Sequence, residues 1–420
     1  MSAPTGFQRH RPPVAHAEPS EPVRTSPAPA HIVLTVNYSP WSPYCGGGQQ
    51  ATHSLATAFA GNGHRVTVVY TKAPWERIPV PDGLPYEIRW ATFVGLRSRG
   101  GAPLRPLNAV PVARTVAALL ARGEPTILHA QGEEGALLPR LRHRINDRVR
   151  FVLTAHYPDY PQALARPTTD GPVATVRRMF VPPKFHALGL AARGADLCCV
   201  PSEASRRAFA NTVRVDESRV RVVANGVESV FTRVQRRPEA VGGPLVYFGR
   251  LDHEKGVLIL IEALARLGPG TPPLLVAGRG PLERAVRARA VAAGLGERVR
   301  LLGWMAQPEL ARLLAGARLA VLPSFVESFG CAMVEAMAAG VPLITTHTGA
   351  LPEVVGGTAH ALLVPPGNAP ALAAAIARLL REPDHAEHMG RAARAHVLKH
   401  YSWMATARAY EDHYRELFVT

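Results

Sequence analysis

Glu327 and Glu335 stand eight residues apart in the segment Phe325-Val-Glu-Ser-Phe-Gly-Cys-Ala-Met-Val-Glu-Ala-Met-Ala-Ala-Gly340. The second falls in an apolar run that reads as a buried helix, with Ser328 placed to cap its start and Gly340 to end it before the strand-like Val341-Pro-Leu-Ile-Thr-Thr346. A carboxylate on such a helix is costly unless something binds it. Pairing with one of the many arginines would satisfy Glu335, and Glu327 could be a solvated loop residue. The helix start, however, offers unpaired N–H groups and the positive end of a dipole, which together suit an anion. An acceptor for hydroxyl hydrogen bonds beside an anion site fits sugar hydroxyls next to a diphosphate.

Further chemistry-bearing residues punctuate the chain at the ends of strand-like runs. Tyr247-Phe-Gly-Arg-Leu-Asp-His-Glu-Lys-Gly256 places Arg250 and Lys255 in a loop between a strand and a helix. Two cations there can neutralise a diphosphate, Arg gripping oxygens bidentately and Lys acting as a mobile point charge, although a surface turn would look the same in isolation. Gly46-Gly47-Gly48 precedes a helix that begins near Gln49, where glycines allow close approach to a ligand or simply make a turn. His156 follows the run Phe151-Val-Leu-Thr-Ala155 and so falls at a strand's carboxyl end, a place for a ligand contact or an ordinary core histidine. Gly278-Arg-Gly-Pro281 and Val223-Ala-Asn-Gly226 read as turns that could also line a site. No Asp-x-Asp occurs, so a metal bridging a diphosphate has no obvious ligands and none is expected.

The elements that would position these residues follow from hydrophobic periodicity. Short β-branched runs alternate with longer amphipathic ones from about residue 31, the pattern of α/β layers around parallel sheets. Strands are expected at His31–Val36, Arg65–Tyr70, Thr126–His129, Arg150–Ala155 and Leu197–Pro201, and again at Leu245–Phe248, Pro273–Ala277, Val299–Leu302, Leu319–Leu322 and Pro342–Thr346. Two such series, broken by the polar, Pro- and Gly-containing stretch from Glu228 to Gly243, imply two Rossmann-like domains with ligands in the cleft between them. The expected division is a disordered leader over 1–30, a first domain over 31–230, a linker over 231–243, a second domain over 244–400 and a terminal helix over 401–420.

Composition sets the outer bounds. A chain of 420 residues with 47% hydrophobic content is globular, and no apolar run reaches the length of a membrane span. The first thirty residues lack the apolar core of a secretory signal, so a cytoplasmic location is the expectation. Cys45, Cys198, Cys199 and Cys331 show neither zinc spacing nor a disulfide framework and are expected to be thiols. The net charge of +16 is carried almost wholly by arginine, a bias that biased coding can produce without a polyanionic partner. Clusters at Arg140, Arg142, Arg144, Arg148 and Arg150 and at Arg177-Arg-Met-Phe-Val-Pro-Pro-Lys184 are either a solvated face or an acceptor side that meets an anionic acceptor or an anionic surface at the inner face of the membrane. No nucleic-acid motif accompanies them, so no nucleic-acid partner is expected.

In combination, these motifs resemble family 4 of the retaining glycosyltransferases with the GT-B fold, the glycosyl transferases group 1. Glu-Ser-Phe-Gly, then four residues, then Glu resembles the family's E-x7-E motif, and Gly249-Arg-Leu-x3-Lys-Gly256 its phosphate loop. The resemblance covers essentially residues 31–420. It implies that Glu327 contacts the donor sugar, that Ser328, Phe329 and Gly330 bring backbone to sugar and phosphate, and that Glu335 holds the nucleotide ribose. It further implies diphosphate contacts for Arg250 and Lys255, backbone approach at Gly47 and Gly48, a nucleotide-side loop at Gly278, and a hydrogen bond from His156 to the sugar. Arg279 stands where the family commonly has an acidic or small polar residue, which leaves the base open between a UDP- and a GDP-linked donor. The expected reaction is transfer of a hexosyl group to a hydroxyl acceptor on a glycan, lipid or small molecule, by front-face attack and without a cofactor. The rivals are a catalytically silent GT-B binding protein, a glycan phosphorylase, which needs a Schiff-base lysine in a chain where lysine is scarce, and a polyanion-binding protein, which would bind in a salt-sensitive way with no effect of a nucleotide sugar.

Overall fold

The computed structural model describes residues 31–42, 45–93, 105–120, 126–145, 148–156 and 185–419. The expected leader over 1–30 and the basic stretch Arg177–Lys184 lie outside them. Seven strands form the first sheet: β1 (His31–Val36), β2 (Arg65–Lys72), β3 (Glu87–Thr92), β4 (Thr126–Ala130), β5 (Val149–Thr154), β6 (Leu197–Val200) and β7 (Val220–Val222), in the order β3-β2-β1-β4-β5-β6-β7. Six form the second: β8 (Leu245–Phe248), β9 (Leu274–Ala277), β10 (Val299–Gly303), β11 (Leu319–Leu322), β12 (Leu343–Thr346) and β13 (Leu362–Val364), in the order β10-β9-β8-β11-β12-β13. Every pairing within them is parallel. Central strands such as β1, β4 and β8 are buried along their whole length, because helices cover both faces, which is why they read as continuous apolar runs. Among the described residues no helix is long and apolar enough to cross a membrane.

Each sheet reverses its winding once, between β1 and β4 in the first and between β8 and β11 in the second. At such switch points the loops after neighbouring strands diverge and leave a crevice at the carboxyl ends. The two crevices contain the loops that carry the candidate residues.

The second domain has one continuous core, whereas the first has one on each face of its sheet. One of those faces is closed by the first helix, Gly47–Gly61, together with the last, Trp403–Val419, whose Tyr410 and Tyr414 are fully buried beside Phe59. The last helix thus packs on the first sheet. Its hydroxyls complete a buried network in which Tyr414 Oη meets His129 Nδ1 at 2.6 Å, His129 Nε2 meets Thr154 Oγ1 at 2.7 Å, and Thr154 Oγ1 meets Tyr410 Oη at 2.9 Å. Arg150 is part of the same docking, donating from Nε to Leu417 O at 2.7 Å with its guanidinium over the Phe418 ring. It therefore leaves the basic surface in which the sequence places it.

The chain passes between the domains twice, side by side. Val227 N donates to Tyr401 O at 3.1 Å, and Thr406 Oγ1 donates to Ala224 O at 2.8 Å. A Cβ on Gly226 would lie 2.3 Å from Trp403 N, so only glycine admits the second crossing. What reads as an ordinary turn at Asn225-Gly226 is the seam between the two crossings.

Candidate active site

On the second domain, the loops after β8 and β11 are bonded to each other. Phe325 N donates to Glu254 O at 2.7 Å, and Asp252 caps the short 3-10 turn His253–Lys255 through Lys255 N. This folds Lys255 toward Glu327, where Nζ and Oε1 are 2.6 Å apart and both side chains are mostly buried. Ser324 Oγ donates to the same carboxylate oxygen at 2.8 Å. Arg250 is held differently: its guanidinium is 57% exposed and bridges Asp252 and Glu254, each at 3.1 Å. Lys255 is thus an embedded cation, and Arg250 an exposed one at the rim, tied to two carboxylates. Gly278, at the end of β9, packs against Gly249, whose carbonyl oxygen would be 1.9 Å from a Cβ there.

The helix predicted around Glu335 spans Cys331–Ala338, and Gly340 follows it with a positive φ. Ser328 does not cap it. The cap position is Gly330, at φ +89°, and the Ser328 hydroxyl instead donates to His156 O of the first domain at 2.6 Å. The Ser328 carbonyl in turn accepts from Ser202 Oγ at 2.8 Å and Ser205 Oγ at 3.0 Å, both at the start of the helix Glu203–Val213 in the first domain. Glu353 reinforces this junction by accepting from the N–H groups of Glu203 and Ala204. Phe329 is buried in the core with its ring edge-on to Tyr401, so only its backbone is available to a ligand.

Glu335 lies half-buried in the cleft, and its carboxylate has no hydrogen-bond partner among the described residues. Burial, reinforced by the nearby charge of Glu228, pushes its pKa up to about 8. Glu228 itself sits in the crossing segment, accepts from Ser54 Oγ of the first helix, and is also pushed above the usual carboxylate range by burial. A ligand hydroxyl that donates to Glu335 would favour its ionised form and offset part of this shift.

The first domain contributes the opposite wall. Gly47 and Gly48 open the first helix after the long loop from β1, with Gly46 N donating to Gln49 Oε1 at 2.9 Å. A Cβ on Gly47 would be 3.9 Å from Cys331 Sγ, and one on Gly48 would be 3.7 Å from His156 Cδ2. Backbone of the first helix therefore faces the second domain's motif across the cleft, with the His156 ring beside it. Burial pushes His156 down to about 4, so the ring is a neutral imidazole at physiological pH.

Sequence reasoning missed Gln131, Glu228, Ser202 and Ser205. Gln131 alone left a signal, since it directly follows the β4 run. The others are recognisable only once the domains face each other. Arg140 and Arg148 are exposed, whereas nothing is described of the Arg142 and Arg144 side chains.

Two facing Rossmann-like domains with polar residues gathered at both switch points define a GT-B protein. Residues 242–396 match the family described as Glycosyl transferases group 1, and residues 45–230 match Glycosyltransferase Family 4. The chain belongs to this glycosyltransferase family. It is 36% identical over 199 residues to a protein named glycogen synthase from Mycobacterium tuberculosis, covering 45% of this chain and 47% of that one. It is 32% identical over 213 residues to an MMP alpha-(1->4)-mannosyltransferase from Mycolicibacterium hassiacum, covering 49% and 50%. The chain thus spans about half the length of these curated relatives. Among solved structures, a sucrose-phosphate synthase from Thermosynechococcus elongatus superposes with a TM-score of 0.77 at 23% identity, over 93% of this chain and 99% of that one. HepE from Anabaena, solved in complex with UDP-glucose, superposes with a TM-score of 0.69 at 19% identity over 92% and 99%. At these identities the structural likeness shows the fold.

Proposed function

We propose that the protein transfers a hexosyl group from a UDP- or GDP-linked sugar to a hydroxyl acceptor, with retention of configuration. The observation that carries this reading is the Lys255–Glu327 pair at 2.6 Å, set at a switch point in the same motif whose Cys331 faces the glycine-opened helix of the other domain. In this reading Lys255 and Arg250 stabilise the leaving diphosphate, with help from the N-terminus of the Cys331–Ala338 helix. Glu327 contacts the donor sugar, Glu335 accepts from the ribose diol, and backbone at Gly47, Gly48, Gly278 and from Ser328 to Gly330 lines the donor. His156, being neutral, hydrogen-bonds the sugar and does not attack it. No carboxylate is placed as a nucleophile in this scheme. The leaving phosphate accepts the acceptor's proton on the face it departs from.

A cytoplasmic location, with peripheral contact to an anionic membrane through the exposed arginines of the first domain, accords with the four free cysteines and the basic charge. A thermal-shift panel of nucleotide sugars tests the donor: a cognate donor at about a hundred times its Kd adds roughly 2.7 kcal/mol of stability. The anomeric configuration of the product, read by proton NMR from an α-linked donor, tests retention. No shift with any nucleotide sugar, or an inverted product, would overturn the reading.

A further inference from the structure

Gln131 follows β4 directly and His156 lies one residue beyond Ala155 after β5, so adjacent strand ends bring the two side chains together, Gln131 Oε1 to His156 Nε2 at 2.6 Å. Gln131 is 6% exposed and firmly anchored: its N–H is shared between Thr35 O and Glu134 Oε1, each at 3.0 Å. An amide oxygen can only accept, so the proton in this contact belongs to His156 Nε2. In a neutral imidazole the other nitrogen then carries the lone pair. That nitrogen, Nδ1, is buried without a hydrogen-bond partner among the described residues, as is Gln131 Nε2. A buried acceptor and a buried donor, each left unpaired, are costly unless a ligand supplies the complementary groups.

We propose that Gln131 is a positioning residue that fixes His156 as its Nε2-protonated tautomer, so that Nδ1 accepts a hydrogen bond from a hydroxyl of the donor sugar. The proposal rests on the reading of His156 as a donor-sugar contact. The Gly48 edge of the cleft runs past the Cδ2 side of the ring, which leaves Nδ1 on the side away from the helix backbone. Two ionisable groups interact with the pair: His129, whose Nε2 is occupied by Thr154, and Glu134, which is engaged by Thr35 and by the Gln131 N–H. A hydroxyl that donates to Nδ1 would be distinguished from a hydrogen or an ether oxygen at the same place, making the pair a specificity element for the donor.

Long-range proton–nitrogen NMR on uniformly 15N-labelled full-length protein reads the tautomer directly, with His156→Asn identifying the resonance. An Nε2–H tautomer without nucleotide sugar is the expected result, and an Nδ1–H tautomer overturns the proposal. Two variants then connect the tautomer to turnover. Gln131→Leu, which releases the ring, should lower kcat/KM about tenfold or more. Gln131→Glu still accepts from Nε2–H but its charge favours the imidazolium, so its activity should match wild type at high pH and fall as the pH is lowered and Nδ1 gains a proton. A merely structural role for Gln131 would give no such limb, and a Gln131→Glu profile parallel to wild type refutes the positioning. Undiminished turnover in His156→Ala would instead overturn the sugar contact itself, while the tautomer measured by NMR stood independently.

Discussion

Glu335→Gln exchanges a half-buried carboxylate for a neutral amide of the same shape, and separates what the site costs the fold from what it gives the ligand. Burial and Glu228 raise the Glu335 pKa from its usual 4.5 to about 8. At about 1.4 kcal/mol per unit this corresponds to a penalty of up to about 5 kcal/mol for holding the ionised form. Partial exposure to water reduces the expected figure to about 1–3 kcal/mol. The sign follows from a folded pKa above the unfolded one. The favourable contribution is complete below pH 4.5, declines as the pH rises, and is gone above about 8. The variant lacks this decline, so it should match wild type near pH 4.5 and exceed it by about 1–3 kcal/mol at pH 9. Urea denaturation at pH 5, 7 and 9 measures the difference. Nucleoside-diphosphate affinity should move the other way, falling in the variant, because an amide accepts poorly from two ribose hydroxyls. A stability difference independent of pH, or a variant less stable than wild type at pH 9, would refute the argument.

Lys255→Ala should lower kcat/KM roughly tenfold to a hundredfold, since it removes charge-assisted contacts worth about 1.5–3 kcal/mol. Arg250→Ala should cost less, because its guanidinium is exposed and already shared between two carboxylates; steady-state kinetics that reversed this order would contradict the assignment of Lys255 as the embedded cation. Tyr414→Phe strands His129 Nδ1 in the core and should destabilise the protein by about 1–3 kcal/mol, checked by the urea midpoint. Chelation should leave turnover intact, since in the proposed scheme Lys255 and Arg250 would meet the charge on the diphosphate and the chain has no Asp-x-Asp; activity abolished by chelator and restored by magnesium would show otherwise. Association with acidic vesicles should fall with rising salt and weaken in Arg140→Gln with Arg148→Gln, and identical sedimentation of both proteins would leave these arginines as a solvated face.

The fold was legible because parallel strands covered on both faces leave uninterrupted apolar runs, and β1, β8 and β11 begin and end where those runs do. The strands that escaped notice are β3, β7 and β13, each at a sheet edge. β3 mixes exposed with buried residues, and β7 and β13 are only three residues long, too short for periodicity to register. Within the site, residues adjoining strand ends could be named from sequence. Their partners could not, because Lys255 with Glu327, Ser328 with Ser202, and Glu335 with Glu228 join positions far apart in the chain. Ser328 illustrates the difficulty: its type fits a helix cap, but the opposing domain offers its hydroxyl the carbonyl of His156, and Gly330 takes the cap.

The docking of Tyr410 and Tyr414 on the first sheet has a consequence for how the molecule is made. The first domain is discontinuous in sequence, and the residues that close one of its two cores leave the ribosome only after the whole second domain. While residues 244–400 are being synthesised, Phe59 and the part of the strand face that the first helix leaves open lack the cover of Tyr410 and Tyr414, and His129 lacks the Tyr414 hydroxyl that later satisfies it. The second domain has all its core residues beforehand and is able to complete itself first. Domain order along the chain and order of completion are therefore opposite, and a chain stopped before residue 403 would carry a finished second half attached to a first half still open on one side.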